Sequence, residues 1–75
     1  MSEVRAELVA SVLEVVAQEG DRLCVGATLV VLESMKMEIP VVAERPGTLR
    51  HLAVDVGTRL QEGDLIAVLD AGDPA

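Results

Sequence analysis

Residues 4–33, moved along the chain by 37 positions, fall over residues 41–70 with nine identities in 30 pairs. They are Val4/Val41, Ala6/Ala43, Glu7/Glu44, Gly20/Gly57, Arg22/Arg59, Leu23/Leu60, Gly26/Gly63, Val31/Val68 and Leu32/Leu69. Leu29/Ile66, Ser11/Thr48 and Glu33/Asp70 are close substitutions. A Val/Leu-rich chain gives some matches by chance, but not two glycine pairs at one shift. The sequence therefore reads as an internal duplication, and a conformation assigned to one half must suit the other.

That condition decides between helix and strand. Residues 4–17, VRAELVASVLEVVA, place Val9, Leu13, Val16 and Ala17 on one side of a possible amphipathic helix. Their counterpart, VVAERPGTLRHLAV, is interrupted by Pro46-Gly47, which suits the centre of a type II turn and breaks a helix. Both segments are therefore expected as strand–turn–strand. Glycines 20, 26, 57 and 63 then punctuate short Val/Leu/Ile strands, the pattern of an all-β sandwich or barrel. The expected strands are 3–9, 11–17, 22–24, 28–33, 37–42, 48–54, 59–61 and 65–70. Two copies of a four-strand unit imply two small sheets packed face to face about an approximate two-fold axis. The unrepeated joint is the hairpin 34–40. The two-fold puts the chain ends opposite it.

Composition narrows function by exclusion. Seventy-five residues make one domain, 1–75, near the lower size limit for independent folding. Phe, Tyr and Trp are absent, so the core is aliphatic and no aromatic platform for bases exists. A net charge of −7 argues against nucleic acid and anionic membranes as partners. Cys24 is the sole cysteine, no apolar run has membrane-span length, and the N-terminus lacks a signal-peptide core. A cytoplasmic monomer is expected. His51 has no second histidine or cysteine for a metal site, and Ser11 and Ser34 have no base partner. No metal and no catalytic residue are expected, so the chain is not read as an enzyme.

One residue remains to be explained. Lys36 is the only lysine beside five arginines, and it sits at the centre of the joint, between Met35 and Met37. A guanidinium stays charged and is a poor nucleophile, whereas an amine can be acylated.

The stretch ESMKME, Glu33 to Glu38, resembles the attachment motif of the biotinyl domains of biotin carboxyl carrier proteins. EGDRLCVGATLVVLESMKMEI and PGTLRHLAVDVGTRLQEGDLIAVLD resemble that family's two glycine-punctuated halves, so the resemblance spans about residues 4–70. It implies a flattened β-barrel of two four-stranded antiparallel sheets, with biotin joined by an amide to Lys36. The partners it implies are biotin protein ligase, which attaches the biotin, and the biotin carboxylase and carboxyltransferase subunits, between which the arm carries carboxylate. An exposed amine is normally protonated, so the ligase must help remove its proton. Met35 and Met37 offer uncharged, adaptable contacts to such enzymes, and Glu33, Ser34 and Glu38 flank them. The chain departs from the family pattern in having Ala10-Ser11 where the second half has Gly47-Thr48. It has no room for a thumb-like insertion, which implies a free arm. A lipoyl carrier of the same fold usually has an acidic residue before its lysine and alanine after it. An unmodified binding module is the remaining alternative.

Overall fold

The computed structural model describes residues 2–70. It contains eight strands: β1 (Ser2–Arg5), β2 (Ala10–Val15), β3 (Arg22–Leu23), β4 (Thr28–Ser34), β5 (Met37–Val42), β6 (Gly47–Leu52), β7 (Arg59–Leu60) and β8 (Leu65–Asp70). They form two antiparallel four-stranded sheets, ordered β1-β8-β6-β3 and β5-β4-β2-β7. Adding 37 to β2 and β3 gives the first and last residues of β6 and β7. Even the bulges correspond: β2 shifts register at Leu13 and β6 at Arg50.

The sheets are not one per half. Each takes two strands from either half, so β1 lies beside β8 and β5 beside β4. The glycines hold this exchange together. The Gly26 N–H donates to the Ala43 carbonyl and the Gly63 N–H to the Ala6 carbonyl, each at 2.8 Å. These bonds join one half to the other at equivalent points.

Three expectations need correction. The first strand ends at Arg5, not at residue 9, and residues 6–9 bend between the sheets. Ala6 is buried there, with its N–H bonded to the Asp64 carbonyl, which ends the ladder with β8. The second and sixth strands begin one residue earlier and end two residues earlier than expected, at 10–15 and 47–52. Pro46-Gly47 is not a type II turn. Such a turn needs positive φ at its third residue, and Gly47 is not among the positive-φ glycines. The chain bends at residues 44–45 instead, and β6 starts at Gly47.

The core lies between the sheets and is wholly aliphatic. Leu29, Val30, Leu32, Leu49 and Ile66 are fully buried, and no polar or charged side chain is buried among the described residues. Without aromatics, each leucine carries much of the stability. Truncating one to alanine in a filled core typically costs about 2–5 kcal/mol. Three of those five core residues, Leu29, Val30 and Leu32, belong to β4, which leads into the joint.

Candidate functional site

β4 and β5 pair from Thr28↔Val42 to Ser34↔Met37, which leaves Met35 and Lys36 as a two-residue turn. Both have positive φ, 54° and 66°. That is the signature of a type I′ turn, whose twist matches that of the flanking strands. The usual occupants are Asn-Gly, because a residue with a Cβ in the left-handed region costs about 1–2 kcal/mol. The tightness of the turn aims the lysine outward from the apex. Lys36 is exposed, and its amine has no hydrogen bond or ion pair among the described residues.

Its neighbours are unusually open. Met35 is 90% exposed and Met37 62%. Directly below the turn Glu33 faces Glu38 across the ladder, both exposed. Like charges in facing positions of an antiparallel pair repel. Ser34 does something the sequence did not disclose. Its hydroxyl donates to the Val9 carbonyl at 3.0 Å, fastening the base of the hairpin to the 6–9 bend. Val9, assigned to a strand from the sequence, is 59% exposed at this end. With Leu8, Ser11, Ser34, Met35 and Arg59 it lines a shallow depression beside the turn. Nothing local in the sequence marks Val9 or Arg59, because both arrive through non-local pairing.

Other chemistry lies elsewhere. His51, on β6 of the other sheet, has its Nδ1 3.3 Å from Oε2 of Glu19 in the turn between β2 and β3. Cys24 is a free, exposed thiol. No group of three or more His, Cys, Asp or Glu side chains is placed to hold a metal among the described residues. No helix of the described residues is long and apolar enough to cross a membrane. The first and last described residues meet different neighbours from the hairpin: Ser2 pairs with Leu69 and Asp70 with Thr48, whereas Glu33 pairs with Ser11 and Ser11 with Arg59. The site is an amine displayed on a braced hairpin, with no base or acid bonded to it among the described residues.

Residues 2–69 match a family model described as "Biotin-requiring enzyme". The chain is 60% identical over 67 residues to a biotinylated protein TB7.3 homolog of Mycobacterium leprae, covering 89% of this chain and 94% of that one. It is 41% identical over 64 residues to a biotin-dependent acyl-coenzyme A carboxylase alpha3 subunit of the same organism, covering 85% of this chain but only 11% of the subunit. Among solved structures it superposes on a single-chain, multi-domain long-chain acyl-CoA carboxylase with a TM-score of 0.88 and 36% identity. That match covers 96% of this chain and 7% of the carboxylase.

Proposed function

The chain belongs to the family of biotin- and lipoyl-attachment domains, and from that premise we propose that it is a biotin carrier modified at Lys36. The observation that carries the reading is the position of the only lysine. It stands at the apex of a two-residue turn between two exposed methionines. Residues 1–75 then form one attachment domain whose repeated halves, 4–33 and 41–70, meet at the hairpin 34–40.

The residues present suit the group. Biotin joined to Lys36 would extend into solvent from an open turn and need no cavity in the domain. Attachment requires a biotin protein ligase that presents biotin as its acyl-adenylate. The Lys36 amine, relieved of its proton by that enzyme, attacks the acyl carbon; the amide bond forms as AMP leaves. When bound, biotin supplies a ureido nitrogen that takes carboxylate at a biotin carboxylase site and releases it at a carboxyltransferase site. The contribution of the chain is mechanical. A rigid hairpin on an aliphatic core holds a flexible arm, so that transfer becomes a tethered search at high effective concentration. With no thumb-like insertion among the described residues, a biotin arm on Lys36 would be free to move. The lone thiol and dependence on an ATP-driven ligase suit a cytoplasmic setting.

Intact mass of the purified chain after incubation with ligase, ATP and biotin tests the reading, with Lys36→Arg in parallel. One biotinyl adduct on the wild type and none on the variant is the expected result. An adduct only with lipoate and its ligase would move the chain to acyl transfer, and no adduct with either would remove the carrier reading.

A further inference from the structure

The internal repeat allows the two outer faces of the sandwich to be compared position by position. On the sheet β1-β8-β6-β3, Glu3, Val68 and His51 lie in one row of the ladder, with Arg5 beyond them and Arg50 at the bulge. Two ion pairs join residues of this face, Arg5 with Glu3 at 2.7 Å and Arg50 with Asp70 at 3.3 Å, and His51 Nδ1 lies 3.3 Å from Oε2 of Glu19 in the turn between β2 and β3. On the sheet β5-β4-β2-β7 the matching row is Pro40, Val31 and Glu14, with Val42 in place of Arg5 and Leu13 at the bulge in place of Arg50. Leu13 is 41% exposed and Val42 38%, and Pro40 is exposed. Nearer the turn this face carries Glu33 opposite Glu38. No ion pair is found for Glu14, Glu33 or Glu38 among the described residues.

One face is thus internally charge-paired, while the other joins an apolar band to three carboxylates without an ion-pair partner among the described residues, its one strand cation, Arg59, lying at the far end of the row Glu38, Glu33, Ser11. Two of those carboxylates repel each other across the ladder. We infer that the outer face of β5-β4-β2 is the surface by which the biotin ligase recognises the unmodified domain, an inference that rests on the attachment reading above. Continuity with Lys36 is one argument. An enzyme whose active site covers the turn and buries about 800 Å² of this chain reaches roughly 16 Å from the centre of its footprint. Leu13, about 10 Å along the ladder from Ser34, falls within that reach, and Val42, about 17 Å from Met37 at ~3.3 Å per residue, lies at its outer edge. The opposite face is turned away across a molecule 17–18 Å thick. Charge is the second argument, because three unpaired carboxylates beside an apolar band call for an apolar patch rimmed with Lys or Arg. The third is chemical. Enzymes that use the attached arm can bind biotin itself, but the ligase meets the domain before any biotin is there and must read protein surface.

The experiment measures initial rates of biotinylation against concentration of the unmodified chain, using purified ligase with saturating ATP and biotin. Leu13→Arg with Val42→Arg installs residue types that the fold already carries at the equivalent positions of the other sheet. This double variant is expected to raise KM at least tenfold while kcat stays within twofold. Leu13→Ser, which removes apolar surface without adding charge, is expected to raise KM about threefold, and thermal melts check that each variant is folded. Arg50→Leu, on the charge-paired face, is expected to leave KM within twofold. Added salt should raise the wild-type KM, and Glu14→Gln with Glu38→Gln should flatten that dependence. KM within twofold of wild type for both Leu13 variants, or an equal rise in Arg50→Leu, overturns the docking face while leaving the attachment reading intact. A wild-type chain that accepts no biotin overturns both.

Discussion

At the scale of single residues, Met35 and Lys36 occupy backbone positions that favour other residues. A type I′ turn selects Asn-Gly, and each side chain held at positive φ here costs about 1–2 kcal/mol. The strain persists because six paired positions of β4 and β5 and the Ser34–Val9 bond over-determine the turn. Lys36→Gly is therefore expected to stabilise the fold while removing the attachment site. Relief of the left-handed penalty outweighs the extra freedom glycine gives the unfolded chain, for a net gain of about 0.5–1 kcal/mol. A thermal melt should show a midpoint a few degrees higher, since ~1 kcal/mol corresponds to about 4–8 °C in a domain of this size. A midpoint at or below the wild-type value would mean that the turn is unstrained. The importance of Lys36 was legible in the sequence because no other residue of its type exists. Its turn type was not, because neither Asn nor Gly stands at 35 or 36 to announce it. Val9 and Arg59 went unread for another reason: they reach the site through pairings that span much of the chain.

At the scale of elements, the glycine frame made all eight strands legible, and two of them, 37–42 and 65–70, with their observed bounds. The errors fell at the strand ends 16–17 and 53–54 and where the chain crosses from sheet to sheet, at residues 6–9 and 43–47. At the crossings a hydrogen bond to the other half, from Ala6 N–H to the Asp64 carbonyl and from Ala43 N–H to the Ala27 carbonyl, rather than local propensity, ends the strand. Gly63 illustrates the physics. Its φ is +93°, its N–H reaches the Ala6 carbonyl at 2.8 Å, and a Cβ placed on it would meet nothing within 4 Å. Gly63→Ala should thus destabilise through backbone strain alone, by about 1–3 kcal/mol. Gly26, which makes the same bond to Ala43 at φ +89°, should lose a similar amount as alanine. Urea denaturation should show lowered midpoints with an unchanged slope for both. A large loss at one position and none at the other would show that the halves are not energetically equivalent.

At the scale of the whole molecule, exchange of strands between sheets makes each half depend on the other. β1 pairs only with β8, β3 only with β6 and β7 only with β2. A chain ending at Lys36 keeps a single pair, β2 with β4. Its fully buried Leu29, Val30 and Leu32 are deprived of Leu49 and Ile66 from the second half. An isolated two-stranded ribbon is marginal in water, and sheet pairing cannot offset chain entropy without a covered face. The sole lysine provides a direct test, because a lysine-specific protease acting on the unfolded, unmodified chain cuts once and yields residues 1–36 and 37–75. Each piece alone should give collapsed amide dispersion by NMR and no cooperative melt. An equimolar mixture should recover the dispersed spectrum, because every strand pairing of the two sheets can form without the covalent link at the turn. A folded 1–36 fragment would mean that one copy of the repeat has a core of its own. Biotinylated chain, whose acylated lysine the protease does not recognise, should remain uncut when treated in the same way.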